Sequence, residues 1–339
     1  MTISSKRLLH RIKEKTKSFI TDDGLVEVDG ALKRLDKSLL DLVHTDDFED
    51  EFFLAPGLPR IRPILVLLSA YAVQHDRSQL ESSQLEHVAL STEFLYAAIA
   101  MHDAALGRQG GRRRRVARRI LGAVGWLGGN QFILRSLELA RQAPSGEIIS
   151  ELLDTIRETT DAQALVQSWN GEIPTLYEAV QLAEQRSGAV FSFACRAGAQ
   201  LASAERPIIT SLGRYGFHVG VAWQLAEELA IIEQLSEDNR NAIMELAARK
   251  HPIYPLSWAA EQSPKAAEIH ELWTQLQQSD DPAAADQLIE HLRLSGAVRE
   301  TKAQIAKASW EAQQALQELP SSAYRSALLD VASSIRQIG

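Results

Sequence analysis

Apolar residues recur at helical spacing along almost the whole of this 339-residue chain, and that rhythm excludes most folds at once. Leu85, Val88, Ala89, Thr92, Leu95 and Tyr96 lie three and four residues apart, on one face of a helix. The same rhythm returns over 176–201 and 215–235. Val, Ile and Thr never alternate with polar residues long enough to mark a strand. Short breaks punctuate the pattern: Pro56-Gly57, Gly110-Gly111, Gly128-Gly129, Ala143-Pro144-Ser145-Gly146, Asn170-Gly171, Glu205-Arg206-Pro207 and Ser279-Asp280-Asp281-Pro282. Thr175, three residues before Glu178, predicts a capping box. No linker is long or polar enough to divide the chain. The expectation is one all-α domain over residues 1–339, with about a dozen helices or more.

Composition bounds the function. Hydrophobic residues at 45% and charged residues at 24% are enough for a sizeable core with an ordinary surface. A net charge of -8 argues against nucleic acid as a partner, because such binding needs a basic face to displace counterions. A single cysteine, Cys195, excludes an intramolecular disulfide and a Cys-rich zinc site. Residues 1–20 are too polar and lysine-rich for a signal peptide. No run approaches the roughly 20 apolar residues of a membrane span. The expected compartment is the cytoplasm.

Two stretches stand out, around 85–105 and 208–235, where polar groups interrupt otherwise apolar helices. Burying a polar group without a partner costs about 1–3 kcal/mol, so helices of this kind usually surround a site. The first carries Glu93-Phe94-Leu95-Tyr96-Ala97-Ala98-Ile99-Ala100-Met101-His102-Asp103, and the second ends in Gln224-Leu225-Ala226-Glu227-Glu228. Upstream lies Leu58-Pro59-Arg60-Ile61-Arg62-Pro63, and between them come Gly129-Asn130 and Arg186-Ser187-Gly188. Lys250 and Pro255 follow, and 305–338 closes the chain with further helices.

In this order these segments resemble the all-α trans-prenyltransferases, the polyprenyl diphosphate synthases. The resemblance covers nearly the whole chain. It implies an isoprenoid-synthase-type helical bundle around a central cavity, a dimer, and a place in isoprenoid metabolism. It also implies where the chemistry would sit. The family holds Mg²⁺ on two Asp-Asp-x-x-Asp motifs, whose carboxylates recur four residues apart on one helix face. There the metals neutralise the leaving diphosphate. Here the first motif reads Asp103-Ala104-Ala105-Leu106-Gly107 and the second Glu227-Glu228-Leu229-Ala230-Ile231. Asp103, Glu227 and Glu228 are therefore the metal candidates, three carboxylates where the family has six. Glu227-Glu228 also reads as a salt-bridged or solvated helix pair, and His102-Asp103 as a structural hydrogen-bonded pair.

The resemblance likewise marks diphosphate-binding candidates: Arg60, Arg62, Tyr96, Arg112, Arg113, Arg186, Gln224 and Lys250. Pro59 and Tyr96 stand where the family has a lysine and a histidine for isopentenyl diphosphate. Arg62 remains a bidentate phosphate ligand, or a salt bridge at a helix start. The Arg112–Arg119 cluster reads as a metal-free phosphate site, a patch for anionic lipid, or a solvated loop. Ala98 and Ile99 line the helix where family members set product length, and small residues there also serve close helix packing.

Three functions follow. The first is a non-catalytic member that forms a heterodimer with an active prenyl synthase. The second is a working prenyl-diphosphate enzyme with a reduced Mg²⁺ site. The third is a metal-free binding module for prenyl phosphates or a lipid surface. The first is preferred, because losses at both metal motifs coincide with loss at the isopentenyl site.

Overall fold

A computed structural model of the protein describes residues 30–35, 37, 60–74, 80–105 and 114–336. These residues contain no strand. After a short helical stretch at 30–35 come α1 (Ile61–Val73), α2 (Ser82–Ala105), α3 (Arg114–Ala140), α4 (Gly146–Ser168) and α5 (Leu176–Ala183). One π-helical turn, Glu184–Gly188, joins α5 to α6 (Ala189–Leu201). Then follow α7 (Arg206–Ile232), α8 (Glu237–Ala248), α9 (Tyr254–Gln262), α10 (Ala266–Gln278), α11 (Pro282–Leu294), α12 (Ala297–Ala315) and α13 (Ala323–Arg336).

Four helices, α4, α5, α8 and α11, start where a side chain supplies an acceptor for their free N–H groups. Ser145 caps α4 by accepting from the Glu147 amide at 3.1 Å. At α5 the expected capping box is present: Thr175 Oγ1 accepts from the Glu178 amide at 3.3 Å, and Glu178 Oε2 accepts from the Thr175 amide at 2.9 Å. Asp281 caps α11, with Pro282 in its first turn, where the missing N–H matters least. The Asn170-Gly171 break is a turn with both residues at positive φ, 49° and 93°.

Helix α7 is the central element. Leu212, Val219, Val221, Trp223, Gln224, Leu229 and Ile231 are all buried, on every side of the helix, as expected of an element enclosed by its neighbours. It packs against α6 and α12, while α2 lies along α3 and α1 packs on α6; α13 returns against α1 and α12. Two glycines set how closely α7 approaches. A Cβ on Gly216 would fall 2.3 Å from the Phe191 carbonyl oxygen, and one on Gly220 would fall 2.3 Å from that of Ser187. Backbone therefore meets backbone at the π turn.

One expectation is corrected. Gly128-Gly129 is not a break, because α3 runs through it without interruption. Gly129 lies against His102 of α2, where a Cβ would fall 2.2 Å from an imidazole carbon. The glycine serves helix–helix approach, which offsets its intrinsic helix penalty of about 1 kcal/mol. The breaks at Pro56-Gly57 and Gly110-Gly111 lie outside the described residues.

Gly220→Ala is expected to lower stability by about 1–3 kcal/mol in urea titration, the usual range for overpacking against a neighbour that does not yield. Gly146→Ala serves as the control, since a Cβ there meets nothing within 4 Å and helix propensity favours alanine. Equal losses in the two variants would contradict this packing.

Candidate functional site

Three groups of buried or partly buried polar side chains lie where α1, α2, the π turn, α7 and the start of α9 meet. The first forms at the head of α1. Arg60 and Arg62 are both only 4% exposed, and both point to Glu93 of α2. Arg60 Nη1 donates to Glu93 Oε2 at 3.2 Å, and Arg62 Nε donates to Oε1 at 2.8 Å. The Arg62 guanidinium also lies 3.6 Å from the centre of the Tyr96 ring, within cation–π range. Arg62 is thus held by a carboxylate and an aromatic face together. Nearby Glu227, and then burial, raise the Tyr96 pKa, while Arg62 and Arg186 pull it the other way. The Tyr96 phenol is therefore a neutral group at physiological pH.

The second group bridges α2 and the π turn. Arg186 Nη2 is ion-paired with Asp103 Oδ2, and Gln163 of α4 donates to Asp103 Oδ1 at 3.3 Å. On its other side the Arg186 guanidinium lies 3.4 Å from His251 Nε2. Burial pulls the Arg186 pKa down. Asp103 foremost, with Tyr96, Glu227 and Glu228, more than offsets that and carries it upward. Burial and then the adjacent arginine push the His251 pKa down to about 4, so the imidazole is neutral near pH 7.

The third group runs along α7. Ser187 Oγ donates to Gln224 Oε1 at 2.7 Å, and Gln224 Nε2 donates to Glu228 Oε1 at 2.7 Å. Glu228 Oε2 accepts from the Tyr254 amide at 2.7 Å, which places a carboxylate at the N-terminus of α9, where the helix dipole favours it. Burial nevertheless dominates and pushes the Glu228 pKa up to about 7, against the smaller lowering by these two hydrogen bonds. Glu227, the next residue, is only partly buried, and its charge is felt by both Tyr96 and Arg186.

The remaining candidates fall elsewhere. Lys250, at positive φ, is exposed and donates from Nζ to Asn170 Oδ1 at 2.8 Å, at the turn before α5. Ala98 and Ile99 are buried, and the Ala98 carbonyl faces Gly129 of α3. Arg112 and Arg113 lie outside the described residues. Sequence reasoning missed Gln163, which is remote in sequence from every motif, and His251, although it directly follows Lys250. It also passed over Glu93, although the motif that includes Tyr96 begins with it.

The fit of Mg²⁺ follows from these bonds. Magnesium needs near-octahedral oxygen ligands at about 2.0–2.1 Å. Both oxygens of Asp103 are engaged, by Arg186 and Gln163, and both of Glu228, by Gln224 and the Tyr254 amide. Among the described residues no three His, Cys, Asp or Glu side chains converge to hold a metal ion. In this arrangement the carboxylates do not fit a shared magnesium site. What the site offers instead is a set of fixed, internally neutralised charges.

Comparison with known proteins agrees with the architecture. Residues 51–292 match the polyprenyl synthetase family, and the chain belongs to that family. It is 26% identical over 243 residues to a (2E,6E)-farnesyl diphosphate synthase of Mycobacterium bovis, covering 68% of this chain and 66% of that protein, just under two thirds of the relative's length. It is 25% identical over 180 residues to component 2 of a heptaprenyl diphosphate synthase of Geobacillus stearothermophilus, covering 52% of this chain and 54% of that protein. A crystal structure of polyprenyl synthase from Caulobacter crescentus CB15, complexed with calcium and isoprenyl diphosphate, has a TM-score of 0.76 at 22% identity. That likeness covers 97% of each chain and supports the shared fold. Among the described residues no helix is long and apolar enough to cross a membrane.

Glu228 gives a pH test. Its folded pKa of about 7 stands above the ordinary value of 4.5, so the folded state binds the proton more tightly. The group's contribution to stability is full below pH about 4.5 and is lost as pH rises through about 7. Tenfold tighter proton binding corresponds to about 1.4 kcal/mol, so the loss is on the order of 3 kcal/mol. Glu228→Gln should therefore flatten the dependence of the urea midpoint on pH between about 5 and 8. An unchanged slope in the variant would contradict the assignment.

Proposed function

We propose that this protein is a non-catalytic member of the polyprenyl synthetase family that pairs with an active prenyl diphosphate synthase and alters its stability or product length. The observation that carries this reading is the engagement of Asp103 by Arg186 and Gln163. In the first metal motif it is the surviving carboxylate, and it is committed to a guanidinium. The isopentenyl side agrees, because Arg62 is held by Glu93 and Tyr96 and Pro59 offers neither charge nor donor. Loss of chemistry with retention of the bundle is what a partner subunit requires.

A surface for that partner is available on α3 and α4. Leu127 and Leu134 are 64% and 59% exposed, and stand seven residues apart on one face of α3. Trp126 of α3 and Leu153 of α4 are also exposed. Exposed apolar residues that recur on one helix face mark an interaction site more often than isolated ones do. The Geobacillus relative is component 2 of a synthase, which supports a multi-component assembly of the same kind. A homodimer through this face is the alternative pairing.

One observation favours a second reading, a working prenyl-diphosphate enzyme with a reduced Mg²⁺ site. Glu227 is partly buried, and its negative charge is felt by both Tyr96 and Arg186. The metal-free binding module rests on the arginine cluster of 112–119, whose side chains lie outside the described residues.

The test is co-expression with an active polyprenyl diphosphate synthase of the same cell. The expected result is co-purification, with a changed product length or rate on mixing. Leu127→Glu/Leu134→Glu should abolish both while leaving the isolated chain's melting temperature within a few degrees. Turnover by the isolated chain, dependent on Mg²⁺ and abolished by Glu227→Ala, would establish the second reading and overturn the first.

A further inference from the structure

The exposed charges of α12 are all positive, although the chain as a whole carries a net charge of -8. Arg299, Lys302 and Lys307 are exposed, whereas the two acids of the helix, Glu300 and Glu311, are partly buried. Glu311 pairs with His218 of α7 at 3.2 Å. Glu300 accepts from Gln304, and its charge is felt by Tyr254 of α9. The outward face is ordered by the helical period. At about 100° per residue, Arg299, Ala303, Ala306 and Trp310 fall within about 60° of one another, with Lys302 on one side of that line and Lys307 on the other. On the opposite face Ala297, Thr301, Ile305, Ala308 and Ala312 are buried. Trp310, at the crest, is 57% exposed.

The neighbouring charges leave this face basic. Lys302 meets Glu233, the residue after α7, at 3.2 Å. Among the described residues no ion pair involves Arg299 or Lys307. Burial, and then the charges of Arg214 and Lys307, pull the His218 pKa down against Glu311, so exposed Arg214 of α7 extends the same field. Glu318, beyond the end of α12, accepts from Ser211 of α7 at 2.7 Å.

We propose that this face of α12 docks on an anionic lipid bilayer, with Trp310 among the headgroups and Arg299, Lys302 and Lys307 against the phosphates. A single exposed apolar residue needs no explanation by itself; here an indole stands between alanines on a line bordered by cations. Basic side chains around an exposed Trp are the pattern of helices that lie in the plane of a membrane interface. Lysine is depleted in protein–protein interfaces. Beside a membrane its stem lies along apolar surface while the ammonium reaches the phosphates. Helix α12 packs chiefly against α7, α13 and α9, so this surface is separate from the apolar face of α3 and α4. The inference goes beyond the partner role and does not depend on it.

A Lys or Arg at an anionic membrane surface contributes about a fivefold gain in partitioning, so removing two should cost about 25-fold. The experiment is sedimentation of the full chain with vesicles of equal parts phosphatidylcholine and phosphatidylglycerol, and with phosphatidylcholine alone. Wild type should bind the anionic vesicles only, and less tightly in high salt. Arg299→Gln/Lys307→Gln should bind them about 25-fold more weakly. Arg157→Gln/Lys265→Gln removes the same charge from exposed positions elsewhere and should bind as wild type does. Quenching of tryptophan fluorescence by brominated lipid should fall in Trp310→Ala. All the substituted side chains are at least half exposed or free of ion pairs, so melting temperatures should stay within a few degrees.

Failure of wild type to bind anionic vesicles would overturn the proposal. Equal losses in the two double variants would do so as well, since net charge alone would then explain binding. Unchanged binding in Arg299→Gln/Lys307→Gln would move the contact elsewhere, with the arginine block at 112–119 next to be tested, and would also overturn it. Binding to polyglutamate but not to vesicles, lost in the same variant, would assign the face to an acidic protein instead of a membrane. Absence of any complex with a synthase would leave the membrane contact standing.

Discussion

A charge inside a helical bundle survives only if it finds a partner there, and α2 and α7 carry Glu93 and Glu228 into the protein's interior and Asp103 to its edge. An ion removed from water without compensation loses several kcal/mol, so each of these groups must be answered by a neighbouring cation or donor. The remainder of the structure is arranged around those answers. The α1 start presents two arginines to Glu93. A π turn delivers Arg186 to Asp103. The first amide of α9 meets Glu228. Of the two close-approach glycines of α7, Gly220 lies against Ser187, the neighbour of Arg186 in the π turn.

This pattern separates scaffold from chemistry. A metal-dependent transferase needs carboxylates whose oxygens remain available to metal and substrate. In this protein the oxygens of Asp103 and Glu228 are already bonded within the chain. The cations that would hold a diphosphate are similarly occupied, since Arg62 lies between Glu93 and Tyr96. Membership of the polyprenyl synthetase family therefore fixes the architecture and leaves the activity to be argued from the site. These interior bonds tie α1, α2, the π turn, α7 and α9 together, while Trp126, Leu127 and Leu134 of α3 and Leu153 of α4 stay exposed.

Much of the fold is legible in the sequence because helical period, caps and turns are local signals. Thr175 with Glu178, Asp281 with Pro282 and Asn170-Gly171 all mark boundaries that the structure keeps. Gly128-Gly129 misleads for a physical reason: a glycine pair looks like a break, yet Gly129 answers to His102, a residue on another helix. Only tertiary packing distinguishes the two. The site divides in the same way. That Ala104, Gly107 and Ile231 carry no carboxylate can be read directly from the residues. What Asp103 bonds to cannot, because Gln163 and Arg186 meet Asp103, and His251 meets Arg186, across long sequence separations. Nothing in local spacing announces that meeting.

The central claim is that the surviving charges are satisfied internally and no longer ionise an allylic diphosphate. Titration calorimetry of the purified protein with farnesyl diphosphate, with and without Mg²⁺, tests it most directly when product is followed after addition of isopentenyl diphosphate. The expected result is no Mg²⁺-dependent heat and no prenyl product. Metal-dependent binding accompanied by a longer prenyl chain would contradict the claim and restore Asp103, Glu227 and Glu228 as a working metal site.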